Sequence, residues 1–231
     1  MGQSKIFVEE EANRYFERNH FKRTFVIDYL ISQLPRRSLS HFDVAEFGIG
    51  GGQNLMLLKN YARSCHGYDA SSDGIACFEK FAQSSPEREL YYAKQVNLCE
   101  AFTTPIQYDL ILYGFFAYYV TDDELAKVKL NLLQALKPTG LLFVYDFLSR
   151  EYTVRPDSRN PSLQVYKRPF SFWTSHLAEF DLLDFRLFDN DKIIEYKYRD
   201  EQSTIDVDVP EDDSQWNFGA LFRRRLSNNP K

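Results

Sequence analysis

The segment Glu46-Phe47-Gly48-Ile49-Gly50-Gly51-Gly52 sets an acid and three glycines at alternate positions behind the apolar start Val44-Ala45. Glycine tolerates the positive φ angles of a sharp turn and lets a backbone lie against a ligand. The following Gln53-Asn54-Leu55-Met56-Leu57-Leu58 reads as a helix whose N-terminus closes the loop. The chemistry this implies is the holding of a small ligand. The dinucleotide pattern G-x-G-x-x-G, counted from Gly48, needs its third glycine at position 53, where Gln53 stands, and this weakens a nicotinamide ligand. No Gly-Lys pair follows, so a phosphate-cradling loop is weaker still. Further on, Ser64-Cys65-His66-Gly67-Tyr68-Asp69 reads as a short strand closing on an acid, with Ser71 or Ser72 placed to cap a helix that starts near Asp73.

The glycine loop resembles motif I of the class I S-adenosylmethionine (SAM) methyltransferases, acid-x-Gly-x-Gly-x-Gly, with Glu46, Gly48, Gly50 and Gly52 all in place. Three further segments follow in that family's order. Asp69 stands where the family's second-strand acid takes both hydroxyls of a ribose, two acceptor oxygens matching two adjacent donors; an ordinary helix cap is the competing role. Tyr91 to Leu98 resembles the third strand and its loop. There the family's adenine-binding aspartate is replaced by Asn97, whose amide oxygen also accepts from an amino group, with the next N–H, that of Leu98, meeting the ring. A turn asparagine competes for that position. Tyr108-Asp109-Leu110-Ile111-Leu112 resembles the fourth strand, and LKPTGLLFVYDF at 136–147 resembles the family's fifth-strand signature LKPGGxLxxxD. The resemblance implies SAM as cofactor, held by Glu46, Gly48, Gly50, Gly52, Asp69, Ala70, Asn97, Leu98, Tyr113 and Gly114.

It also implies where the transferred methyl group would be met. Tyr118 occupies the position after strand four where many small-molecule members carry histidine, so it could position an acceptor or pack in the run Phe115 to Tyr119. Asp146, ending strand five, could orient the acceptor or take its proton. His20 is the best of four histidines for a general base, lying on a segment that covers the active site in related enzymes. The run Tyr15-Phe16-Glu17-Arg18-Asn19 is loosely similar to methyltransferases of bacterial surface-sugar pathways. Together with the basic stretch Arg150, Arg155, Arg159, Lys167 and Arg168, it makes an anionic metabolite or sugar derivative the expected acceptor, methylated at oxygen or nitrogen and met by Tyr15, Arg18, Arg150 and Arg155. A solvated basic loop is the plain alternative. Strand four ends without the [DN]-P-P-[YF] motif, a metal-binding acid or a Pro-Cys nucleophile, so a metal-free small-molecule enzyme is expected. The rival is a non-catalytic SAM-binding subunit working through a partner.

Composition fits one substantial core: 231 residues, 44% hydrophobic, 26% charged, with 20 Phe and 15 Tyr. A net charge of −5 argues against a broad nucleic-acid face, and no apolar run is long enough to span a membrane or act as a signal peptide; the expected location is the cytoplasm. Cys65, Cys77 and Cys99 are too few and too spread for a disulfide framework or a zinc set.

The elements that must position these groups fall into three parts. Residues 1–40 read as an N-terminal helical cap, with one or two helices from about Glu9 to Leu34 ended by Pro35. Residues 41–148 alternate strand and helix and form the SAM-binding core. Residues 149–231 supply a proline-spaced lid loop to Pro169, expected to be mobile, then a helix near 170–179 and β segments that complete the same domain. The fold expected is α/β, a doubly wound, mostly parallel seven-stranded sheet of Rossmann-like methyltransferase type, with an antiparallel hairpin at its C-terminal end.

Overall fold

A computed structural model describes residues 2–19, 26–34, 39–189, 192–194 and 216–225. Strand β1 (Asp43–Phe47) is buried along its whole length and takes the middle of the sheet, as its apolar run requires. It pairs in parallel with β2 (Ser64–Asp69) on one side and β4 (Tyr108–Gly114) on the other. Outside these lie β3 (Tyr91–Gln95) and β5 (Leu136–Phe147), both parallel to their neighbours. Beyond β5 the chain inserts β10 (Trp216–Arg224) antiparallel between β5 and β8 (Phe180–Asp189). The order is β3-β2-β1-β4-β5-β10-β8, the seven strands expected, and β9 (Lys192–Ile194) adds a short eighth strand antiparallel to β8. The sequence from Ile193 to Arg199 reads as a β segment, and its residues 195–199 lie outside the described residues.

Helix boundaries follow local chemistry. Ahead of the helix Ser72–Ser84, Ser71 Oγ accepts from Gly74 N at 3.0 Å. Thr121 and Glu124 form a capping box at the start of Asp122–Ala135. Lys137 to Gly140 sit within β5: Tyr108 pairs with Leu136 and Leu110 with Leu141, so the intervening residues bulge out while both flanks stay paired. Two apolar layers cover the sheet. One holds Phe47, Tyr68, Tyr113, Trp173 and Phe218; the other holds Ile27, Leu55, Phe143 and Phe188.

The helical cap begins earlier than its apolar spacing suggests, at Gln3–Ile6, and runs through a π-helical turn Phe7–Glu11 into Ala12–Asn19. A second helix spans Val26–Gln33. The expected lid loop is a built element: β6 (Thr153–Pro156) pairs antiparallel with β7 (Gln164–Lys167), and the helix Phe170–His176 follows Pro169 directly.

Candidate active site

At the carboxyl ends of β1, β2, β4 and β5 lies a cavity of about 550 Å³, where open α/β sheets place their ligands. Its floor is the glycine loop, in which Gly48, Gly50 and Gly52 all have positive φ (88°, 52° and 83°). The glycines serve different ends. A Cβ on Gly52 would stand 2.3 Å from Phe78, so this residue serves the fold and is not on the cavity wall, contrary to the expectation that it holds the cofactor. A Cβ on Gly50 would meet nothing within 4 Å and would enter the open cavity.

Asp69 closes β2 on the wall beside Ala70. Its Oδ2 accepts from Gly50 N at 2.8 Å and its Oδ1 from Ser71 N at 2.7 Å. Burial pushes its carboxyl up against the pull of these N–H groups. Each oxygen keeps a lone pair for a further donor. Asn97 and Leu98 also line the cavity. Asn97 Oδ1 takes Cys99 N at 3.0 Å and its Nδ2 reaches Glu100 at 3.3 Å, so it makes the turn contact that competed with an adenine role.

Glu46 is 1% exposed. Tyr145 donates its hydroxyl to Glu46 Oε1 at 2.6 Å, and the amide of Asn54 donates to the same oxygen, while Oε2 is buried without a partner. Burial pushes the carboxyl up to about 8, against the two hydrogen bonds that favour its ionised form. The Tyr145 ring reaches Glu46 by crossing β4 at Gly114, where a Cβ would stand 2.2 Å from Tyr145 O and 2.5 Å from the ring. Gly114 is therefore on the wall for a steric reason. Its neighbour Tyr113 is not: it packs on the opposite face, 4.8 Å from Phe116 and 6.0 Å from Trp173 between ring centroids. That corrects its expected place among the cofactor ligands.

Of the groups expected to meet the acceptor, Tyr118 and Tyr15 line the cavity, with their ring centroids 6.4 Å apart. Burial pushes Tyr15 up to about 12 and Tyr118 well above the ordinary phenol range, which keeps both neutral. Asp146 is 2% exposed and faces the other side of the sheet, beside Phe218, because side chains alternate along β5 and the cavity takes Tyr145 and Phe147. Its Oδ1 accepts from Phe147 N at 2.7 Å, and burial pushes its carboxyl up to about 7. His20 lies outside the described residues.

The basic charge is not where the expected anionic acceptor would need it. Arg18 pairs with Glu11, and Arg150 and Arg155 are exposed away from the wall. Arg168 is 1% exposed and spends its guanidinium on Ala117 O (2.9 Å), Val120 O (2.5 Å) and Asp122. Arg159 alone of this stretch reaches the wall. Gln3 stitches the cap to the same region, donating to Tyr119 O (2.6 Å) and Gln164 O (2.7 Å) and accepting from Gln164 N (2.8 Å). Tyr119 in turn donates to Asp157 at 2.8 Å. Helix, turn and hairpin thus form one roof.

Sequence reasoning missed Asn54, Phe115, Tyr145, Phe147 and Asn217, all on the wall. Tyr145 and Phe147 carried a usable signal, the period of two that sets them opposite Asp146.

Residues 45–144 match a family model described as a methyltransferase domain. No curated protein sequence matches the chain. Among solved structures the chain is similar to a SAM-dependent methyltransferase from Methanosarcina mazei, at 15% identity over 86% of this chain and 97% of that one, with a TM-score of 0.61. It is also similar to the N-methyltransferase NodS from Bradyrhizobium japonicum in complex with S-adenosylhomocysteine, at 16% identity, 92% and 97% coverage and a TM-score of 0.60. A third is the 1,6-didemethyltoxoflavin-N1-methyltransferase of Burkholderia thailandensis, at 14% identity, 96% and 86% coverage and a TM-score of 0.66.

Proposed function

Because residues 45–144 match a family model described as a methyltransferase domain, we propose that the chain is a class I SAM-dependent methyltransferase whose cavity holds SAM at the β1-β2-β3 end and a small-molecule acceptor at the β4-β5-β10 end. The observation that carries this reading is the unpartnered Glu46 Oε2, a buried acceptor beside open space that suits the amino group of the cofactor's methionine part. Asp69 would take the ribose hydroxyls, and Asn97 and Leu98 the adenine edge. The open space above Gly50 is room that any side chain would remove. SAM supplies a methyl group on a sulfonium, open to in-line attack by an oxygen or nitrogen lone pair.

The protein's part is then to hold the acceptor in line and keep water out. The neutral phenols of Tyr15 and Tyr118 can position a polar acceptor atom but make poor bases. Asp146, whose carboxyl burial pushes up to about 7, faces the other side of the sheet and is not within reach of an acceptor in the cavity. An anionic acceptor would find one guanidinium, that of Arg159.

Calorimetry with S-adenosylhomocysteine and with NAD tests the reading. Micromolar heat for the first and none for the second is expected. Binding of NAD alone would overturn it.

A further inference from the structure

The acceptor end of the cavity has a composition that its charge does not explain. Tyr15, Phe115, Tyr118 and Phe147 bring four rings to the wall. Phe147 lies 4.9 Å from Tyr118 at 75° and 5.3 Å from Phe115 at 60°, and Phe115 lies 5.3 Å from Tyr145 at 78°. Two of these contacts are edge to face and the one between Phe115 and Phe147 is tilted, and together the rings give the slot an aromatic wall against which a flat partner can pack. Phe115 is held there against its own backbone preference. Among the described residues it alone, glycines apart, has a positive φ, 51°. Its N–H donates to Tyr145 O at 3.2 Å and its carbonyl faces the Tyr15 hydroxyl at 3.4 Å. A bulky residue in that region is strained, and such strain gathers at ligand clamps.

Beside these rings one buried polar atom stands without a hydrogen-bond partner. Asn217 pairs across β10 with Phe147 and lines the cavity, and its Oδ1 is buried with no hydrogen-bond partner. A buried amide oxygen left unpaired is costly unless a ligand supplies a donor. The acids on the wall, Glu46 and Asp69, stand on β1 and β2, and β4 and β5 lie between them and Asn217 on β10, so no wall carboxylate neighbours Asn217 in the strand order. Arg159 is an exposed group on the wall rather than a buried counter-charge.

Resting on the methyltransferase reading above, we infer that the acceptor is a neutral, flat aromatic or heteroaromatic compound carrying an N–H or O–H group, and that Asn217 selects it by accepting that donor. The rings supply the face contact and Asn217 sets the orientation.

The test uses probes that differ in the donor alone: 2-quinolone against 1-methyl-2-quinolone, and theophylline against caffeine, titrated into the full-length protein with and without saturating S-adenosylhomocysteine. The donor-bearing member of each pair should bind about five- to tenfold tighter. In Asn217→Leu that preference should vanish through loss of affinity for the donor-bearing member, and Asn217→Ser, smaller and still polar, should keep part of it. Circular dichroism and S-adenosylhomocysteine affinity of the same samples report whether each variant is folded. Glucose 6-phosphate and citrate should give no heat. The inference is overturned if those anions bind and the flat compounds do not, or if the donor preference survives Asn217→Leu in a folded variant. It is likewise overturned if the N-methylated members bind as tightly as their partners in the wild type. Should S-adenosylhomocysteine fail to bind while the donor preference and its loss in Asn217→Leu persist, the slot stands and the methyltransferase reading fails.

Discussion

In the ligand-free protein Glu46 should hold a proton at neutral pH and release it when a cation takes its free oxygen. Its carboxyl titrates at about 8 in the folded chain, against an ordinary 4.5. Between those two values the folded protein binds a proton that the unfolded chain has already lost. The stability linked to Glu46 is therefore full below pH 4.5, falls as pH rises towards 8, and is gone above it. A gap of about 3.5 pH units, at about 1.4 kcal/mol each, sets the cost of ionising Glu46 in place on the order of 3–5 kcal/mol. Glu46→Gln should remove this slope, so urea denaturation at pH 5, 6.5 and 8 should find the variant gaining on the wild type as pH rises. The same proton reports ligand binding. With a carboxyl titrating at about 8, roughly nine-tenths of the molecules are protonated at pH 7, and an ammonium beside Oε2 should expel close to one proton per ligand. Calorimetry of S-adenosylhomocysteine at pH 7 in phosphate and in Tris should then give heats that differ by about one buffer ionisation enthalpy. Glu46→Gln should abolish the difference and weaken binding by about 1.5–3 kcal/mol. Equal heats in the two buffers, or full affinity in the glutamine variant, would refute the placement of a cation at this oxygen.

Gly50→Val should lose S-adenosylhomocysteine binding while circular dichroism still shows a folded domain, because its side chain enters the cavity; the positive φ should cost about 1–2 kcal/mol of stability besides. Asp69→Ala should weaken the same ligand by about 2–4 kcal/mol, and Asp69→Glu should recover part of it; an unchanged dissociation constant would leave Asp69 as a turn residue only. Arg168→Met leaves Ala117 O and Val120 O without their donor, and the melting temperature should drop by about 5–10 °C as the roof loosens; hydrogen exchange in 153–167 that matches wild type would show that this guanidinium does not pin the hairpin.

The glycine-loop end of the cavity was legible because its geometry is local. A strand, a glycine turn and a helix cap lie within a dozen residues, and an acid at the next strand end confirms the register. The caps at Ser71 and Thr121 were legible for the same reason. Two neighbours failed where sterics, not pattern, decides: Gly52 answers to Phe78, and Tyr113 follows the pleat to the far face. The hairpin at 153–167 was hidden by prolines that look like loop punctuation. In fact Pro156 ends β6, Pro161 lies in the connection and Pro169 precedes a helix, all positions where a missing N–H costs little.

The β5-β10 end of the cavity was illegible for a different reason. Gln3 meets Gln164, Tyr145 meets Glu46 and Asn217 lies beside Phe147, contacts that close only after the sheet has assembled. Charge counted along the sequence misled there, since Arg168 spends its guanidinium on carbonyls inside the protein and Arg150 and Arg155 face solvent. Burial turns the same residue type from a ligand group into a structural one, and a sequence states type without burial. The strain at Phe115 sharpens the point. Nothing in Gly114-Phe115-Phe116 announces a positive φ on a phenylalanine, yet glycine before it is what lets the Tyr145 ring cross and bring its carbonyl to the Phe115 N–H. The conformation of Phe115 is thus set by a partner thirty positions away on the adjacent strand, and only the folded sheet joins the two.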